Sequence, residues 1–216
     1  MNAPARVVLG DSCVALQFDA VIDQAVNARC IALATALEQC ALRGVRDVVP
    51  TYNAVTVHFD PLATDHHALE AAINRLAPMS PEPAKTENRT IEVPVNYGGA
   101  SGPDLAAVAA FAGCSEADVV QIHTQLTYRV YMLGFLPGFA YMGSVDARIA
   151  MPRLETPRMR VEAGSVGIAG SQTGIYPCDT PGGWRIVGQT SLKVFDAAKS
   201  EPFLFTAGDH VRFVAV

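Results

Sequence analysis

Leu133-Gly-Phe-Leu-Pro-Gly-Phe-Ala-Tyr-Met-Gly143 opens the part of the chain that decides the fold. The run continues as Met151-Pro-Arg-Leu-Glu-Thr-Pro-Arg158, Gly164-Ser-Val-Gly-Ile-Ala-Gly-Ser-Gln-Thr-Gly-Ile-Tyr-Pro177 and Thr180-Pro-Gly-Gly-Trp184, and holds nine of the chain's 17 glycines and its only tryptophan. Glycine is costly inside regular strands and helices, so packing alone does not favour this density. Tight turns that present amides and ring faces account for it, and their target is a substrate, a partner protein or the chain's own core. After Tyr128–Leu133 no stretch has helical periodicity. Short apolar runs at Val166–Ala169, Arg185–Val187, Ser191–Phe195, Pro202–Phe205 and Val211–Val216 alternate with turns, which predicts a closed or nearly closed β-barrel.

Upstream, Thr90–Val95 alternates as a strand. A Gly-Gly-x-Ser-Gly loop precedes Pro103, which suits a first helical position. Helices are predicted over 104–112 and 115–125, the second started by Ser115-x-x-Asp118, a variant of the capping box. The polar, Pro-rich Pro78–Asn88 suits a linker, so the predicted domains are 1–88 and 89–216. Within the first, strands Ala5–Leu9 and Ser12–Phe18 join at Gly10-Asp11, and a helix over 22–42 stops at Gly44. Strands Val45–Pro50 and Ala54–Phe59 and a helix over Asp65–Leu76 follow. The order ββαββα predicts helices on one face of a small antiparallel sheet, and the fold class is α+β: a small sandwich-like α/β domain, then a barrel.

The 216 residues are 50% hydrophobic and 17% charged, with a mean hydropathy of +0.22. One large core or two small ones fit that length. Low charge beside high apolar content points to a surface covered by a partner. A net charge of −5 argues against a nucleic-acid grip, which wants a basic stripe. Three lysines stand against 13 arginines. Arginine suits bidentate capture of carboxylate or phosphate, and GC-rich coding gives the same bias. The N-terminus lacks a basic region followed by a long apolar stretch, and no run is long enough to span a bilayer, so neither a signal peptide nor a membrane partner is expected. Five scattered cysteines without a CxxC read as reduced thiols in a cytoplasmic protein.

Standard catalytic signatures are mostly absent: there is no phosphate-binding P-loop and no G-x-S-x-G elbow. His66 and His67 are helix neighbours pointing apart, so they do not jointly chelate, and no metal site is expected. His123, near a helix end, is either a core or capping histidine or a substrate-facing group. Phe135, Phe139 and Tyr141 are barrel core or, because Pro137-Gly138 forces a turn, rim residues. Arg153 and Arg158 each follow a proline, which stiffens the backbone and aims a guanidinium at an anion; the competing reading is an ion pair with Glu155 or Glu162. Gln172, Thr173 and Tyr176, interleaved with glycines, make a hydrogen-bonding wall. Trp184 is a plug closing the barrel or a stacking platform.

The four opening blocks, in this order, resemble the B-subunit family of the prokaryotic ATP-dependent 5-oxoprolinases, also labelled allophanate hydrolase subunit 1, which includes an inhibitor of a sporulation histidine kinase. Ile91-Glu-Val-Pro-Val-Asn-Tyr-Gly-Gly99, Gly102-Pro-Asp-Leu105 and Gly208-Asp-x-Val-Arg-Phe213 fit as well, so the resemblance spans almost all of 90–216 and, more loosely, 1–88. Cys178-Asp179 departs from it, as does Met142, where leucine is expected. The resemblance implies a cyclophilin-like barrel in a protein inactive alone, joined in a hetero-oligomer with the C and A subunits, and ATP with Mg bound jointly with a partner. Together they would phosphorylate the lactam oxygen of 5-oxoproline and open the ring to glutamate. In that reading His123, Arg153 and Arg158 are catalytic. The small-molecule substrate meets Phe135, Pro137, Gly138, Phe139, Tyr141, Gln172, Thr173, Tyr176, Thr180, Pro181, Gly182, Gly183 and Trp184. The amides of Gly164, Ser165, Gly167 and Gly170 form an anion nest for the nucleotide. Two alternatives stay open: a module that inhibits a histidine kinase through the barrel surface, and a carboxyltransferase-type component acting on urea or allophanate with a biotinylated partner.

Overall fold

The computed structural model describes residues 4–76 and 89–216, and the chain divides into two compact units, Met1–Glu87 and Asn88–Val216. The linker expected over Pro78–Asn88 lies outside the described residues.

In the first unit, strands β1 (Ala5–Val8), β2 (Cys13–Gln17), β3 (Val45–Pro50) and β4 (Ala54–Phe59) form an antiparallel sheet in the order β1-β2-β4-β3. Helices α1 (Gln24–Gln39) and α2 (His66–Leu76) pack on it. Side chains alternate across a strand, so Val14, Leu16, Val55, Val57 and Phe59 share one face and meet Leu33, Leu37, Leu69 and Ile73 in a single core. Asp23 starts α1 by accepting from the amides of Ala25 and Val26 at 2.8 and 3.0 Å, a side-chain cap that satisfies donors the helix leaves open. The helix ends at Gln39, ahead of the expected stop. Ala41 takes φ 44° and turns the chain out of the helix early, while Gly44 serves the turn into β3.

In the second unit, β5 (Thr90–Tyr97), β6 (Thr127–Leu133), β7 (Ala140–Gly143), β9 (Ser165–Ala169), β10 (Gln172–Ile175), β12 (Arg185–Gln189) and β13 (His210–Ala215) close a barrel in the order β10-β7-β6-β13-β5-β12-β9. The pairing of β13 with β5 is parallel. Strands β8 (Arg158–Val161) and β11 (Thr180–Gly182) make a separate ribbon. Helices α3 (Leu105–Ala112) and α4 (Glu116–Gln125) meet at 89°. Their inward residues Leu105, Val108, Val119 and Ile122 join Val93, Val95, Tyr128, Val130, Val166, Ile168, Val211 and Phe213 in the barrel core. The capping box forms: Ser115 Oγ accepts from the Asp118 amide at 3.2 Å, and the Asp118 carboxylate accepts from the Ser115 amide at 2.9 Å.

The architecture is the expected α+β one with a closed barrel. Four strands escape the sequence pattern, namely β7, β8, β10 and β11, because each is three or four residues long and the set is interrupted by Gly and Pro. Conversely, Ser191–Phe195 and Pro202–Phe205 are not strands and pair through an isolated Phe195–Phe203 bridge. The barrel closes without them, so they have no free barrel edge to pair with. Among the described residues no single helix is long and apolar enough to cross a membrane.

Candidate functional site

Beyond β6 the chain turns through Gly134–Gly138 before entering β7. Phe135 sits at φ 69°, a left-handed conformation that costs a bulky residue about 1–3 kcal/mol. It is nevertheless 60% exposed. Its ring meets buried Phe139 edge-on at 5.6 Å. Phe139 is the hub: its centroid lies 4.9 Å from Tyr141, 5.3 Å from Tyr176 and 5.3 Å from Trp184, all edge-to-face, and Tyr141 meets Trp184 at 5.9 Å. Such pairs favour one geometry, at about 0.5–1.5 kcal/mol each beyond burial. The rings come from β7, the end of β10 and the turn into β12, which are distant in sequence and adjacent in the closed barrel. Val161 of β8 and Ile186 of β12 complete the cluster.

The glycines around these rings have a steric cause. A Cβ at Gly174 would stand 2.8 Å from the Ala140 carbonyl oxygen and 3.3 Å from both Phe139 Cζ and Trp184 Cζ3. One at Gly182 would stand 2.5 Å from Tyr176 Oη. At these two positions the target of the glycine-rich run is the chain's own aromatic cluster.

His123 lies elsewhere. It sits on the inward face of α4 with Val119 and Ile122, at the i−4 and i−1 positions, and enters the barrel fully buried. Its ring stacks on Phe213 at 4.6 Å. Thr173 Oγ1 donates to the Gly167 carbonyl at 2.9 Å, so its oxygen accepts from His123 Nε2 at 3.0 Å. Nδ1 is then the acceptor, and Tyr97 Oη donates to it at 2.7 Å; the partners assign the neutral Nε2–H tautomer. Burial pushes the His123 pKa down to about 3. The ring, enclosed and neutral with both nitrogens engaged, packs as part of the barrel core. Thr173 is likewise buried, its hydroxyl held on both sides.

Arg158 is not a free cation. Its Nη2 binds Asp104 Oδ1 at 2.7 Å, so its partner is neither Glu155 nor Glu162. Asp104 had a visible signal, the Gly102-Pro-Asp-Leu105 block and a place at a helix start, yet its role spans 54 residues of sequence and no local pattern shows it. Arg153 is exposed, and among the described residues no salt bridge joins it to Glu155 or Glu162. The Leu154 amide donates to the Gly183 carbonyl at 2.7 Å, which places Arg153 one residue from a contact with the Trp184 turn.

The amides expected to form an anion nest are engaged within the fold. The Gly164 amide donates to the Tyr176 carbonyl at 2.8 Å, Ser165 to Glu162 at 3.2 Å and Gly170 to Met151 at 2.9 Å. Gly167 lies inside β9, flanked by β10 and β12. Amides already committed to carbonyls do not cradle a phosphate. Of the remaining substrate-lining candidates, Gly138, Phe139, Tyr176 and Gly182 are buried, whereas Phe135, Pro137 and Pro181 are exposed and Tyr141, Gln172, Thr180, Gly183 and Trp184 half-buried. The accessible face is thus an aromatic wall with a few polar edges. Cavities of about 240 and 430 Å³ lie away from it, one lined by α3–α4 residues and Arg148, the other by Arg89 and the excursion over 193–204. Among the described residues no group of three or more His, Cys, Asp or Glu side chains stands ready for a metal ion.

Residues 5–205 match the family described as carboxyltransferase domain, subdomain C and D. The chain is 44% identical to the 5-oxoprolinase B subunit of Escherichia coli O157:H7 over 96% of this chain and 94% of that protein. It is 40% identical to the protein of the same name from Bacillus subtilis strain 168, over 96% of this chain and 91% of that one. Among solved structures, that of TTHA0988 superposes with a TM-score of 0.86 at 36% identity, covering 95% of this chain and 40% of that one. The chain therefore spans less than half the length of TTHA0988 and nearly all of the two bacterial relatives. On the family match and these full-length identities, the chain belongs to the carboxyltransferase C-and-D domain family and, within it, to the family of 5-oxoprolinase B subunits.

Proposed function

We propose that this chain is the B subunit of an ATP-dependent 5-oxoprolinase, working in the cytoplasm with the C and A subunits to open the lactam of 5-oxoproline to glutamate, and inactive alone. The observation that carries the reading is the 44% identity to a 5-oxoprolinase B subunit over nearly the whole of both chains. An amide carbonyl is a poor electrophile, and phosphorylating its oxygen makes that oxygen a leaving group. Such a transfer asks for positioned cations and donors more than for a nucleophilic side chain.

In this reading the exposed ring of Phe135 and the half-buried Tyr141 and Trp184 hold a small planar lactam, with Gln172 at a polar edge. Burial raises the pKa of Tyr141, so its hydroxyl is a neutral donor. Arg153 is the cation of the predicted set whose charge no salt bridge among the described residues takes up. ATP with Mg does not fit the glycine loop, whose amides are committed, and Arg158 is spent on Asp104; the phosphates fall to a partner protein.

The test is to co-express the chain with its C and A partners and measure 5-oxoproline-dependent ATP hydrolysis. The expected result is activity in the complex and none in the chain alone. No co-purifying partner and no such hydrolysis would overturn the proposal. The carboxyltransferase description of the family favours one second reading, action on urea or allophanate, which predicts instead activity that depends on a biotinylated partner. Replacing Arg153 by Ala is expected to lower kcat/KM of the complex by about tenfold or more; an unchanged value removes Arg153 from the chemistry.

A further inference from the structure

Asp104 breaks a local rule. It occupies the N-cap of α3 with φ −100° and ψ 0° and makes no side-chain capping hydrogen bond. Asp is favoured at that position because its carboxylate accepts from the helix's own first amides. Here the carboxylate is spent elsewhere: Oδ1 accepts from Arg158 Nη2 at 2.7 Å and Oδ2 from the Ile186 amide at 2.7 Å. The backbone adds a third link, the Asp104 amide donating to the Ile186 carbonyl at 2.9 Å. Asp104 is 6% exposed; its bond to the Ile186 amide is buried and its bond to Arg158 partly so, and a charged acceptor with matched donors is held firmly there. Departures of this kind from local consistency concentrate where a fold serves something beyond its own stability.

All of these bonds converge on one turn. Arg158 opens β8 opposite Gly182 of β11, its Nη1 lies 3.5 Å from the Trp184 carbonyl, and its Nη2 reaches Asp104. Asp104 in turn fixes Ile186. The turn Gly182–Ile186, with Trp184 at its middle, is thereby held at Gly182 by strand pairing with Arg158, and at Trp184 and Ile186 by the Arg158 and Asp104 side chains from distant segments. Guanidinium geometry matters, because a planar fork addresses a carboxylate and a carbonyl at once and an ammonium does not. Trp184 itself is only half-buried: its indole meets Phe139 and Tyr141 edge-on and lies over Gly167 and Gly174, and the position of the turn that carries it sets how those contacts are made.

We infer that Asp104 and Arg158 are positioning residues for ligand recognition: a partly buried ion-pair clasp that fixes the indole of Trp184 as one wall of the site. The inference rests on the proposed placement of the lactam against Trp184, and it assigns Arg158 a role distinct from contact with an anionic ligand.

The test uses the full chain, whose only tryptophan makes its emission a report on residue 184 alone. Asp104→Asn and Arg158→Gln are each expected to shift that emission to longer wavelength and to raise its quenching by acrylamide. Arg158→Lys, which keeps the charge and loses the fork, is expected to fall between them and the wild type. In the reconstituted complex Asp104→Asn raises KM for 5-oxoproline about tenfold with a smaller change in kcat. Unchanged emission and quenching in Asp104→Asn and Arg158→Gln overturns the clasp. If either fails to fold by circular dichroism, the milder Arg158→Lys decides by the same readout. A wild-type complex without 5-oxoproline-dependent turnover overturns the functional reading instead, and the emission measurements still decide the clasp.

Discussion

At the scale of the residue, His123 shows how burial turns a titratable ring into scaffold. Its folded pKa of about 3 lies below the ordinary value near 6.5. Between those values the unfolded chain binds a proton that the folded chain does not, so stability rises with pH across that window. The contribution is complete above about pH 6.5 and is lost as pH falls towards 3, at up to about 1.4 kcal/mol per pH unit. His210, lowered first by burial and then by Arg129, acts in the same direction. Urea unfolding at pH 7, 5.5 and 4 is expected to show a steeper loss in the wild type than in His123→Gln; equal slopes would place the ring in contact with water. The cysteines give a second residue-level check. Burial pushes the Cys30 thiol up to about 12, whereas Cys178 is exposed. A thiol reagent is therefore expected to label the folded chain rapidly at Cys178, to lose that phase in Cys178→Ser, and to leave Cys30 untouched until unfolding.

Among the secondary-structure elements, the helices were legible and several strands were not. Ser115 and Asp118 announce α4 because a capping box is local chemistry, complete within four residues. Ser115→Ala is expected to cost about 1 kcal/mol in thermal unfolding. Strands β7, β10 and β11 carry no such signal: their short, Gly-containing segments become strands because neighbours on the barrel or the ribbon supply hydrogen bonds. Val194 and Phe195 err the other way, having strand-like sequence and no edge to join. Steric fit is the main energy at this scale. Gly174→Ala drives a methyl group against the Ala140 carbonyl and two rings and is expected to destabilise by about 1–3 kcal/mol. A neutral result in denaturant titration would mean that the rings yield freely.

Across the full chain, the order of residues was enough to set the classes of structure and kin. The ββαββα order set the first fold, alternation of short apolar runs with turns set the barrel, and the ordered blocks from Leu133 to Trp184 set the family. These follow from period, turn chemistry and contiguous motifs, all of which are properties of neighbours along the chain. Which of the singled-out residues are buried or already partnered was decided only by folding. His123 and Thr173 went inside because α4 turns that face to the barrel. The amides of Gly164 and Gly170 were consumed by carbonyls from Tyr176 and Met151, and Arg158 was claimed by Asp104 across 54 residues. Burial, hydrogen-bond commitment and ion pairing are made between segments far apart in sequence, and they settle which groups of a motif remain free to act.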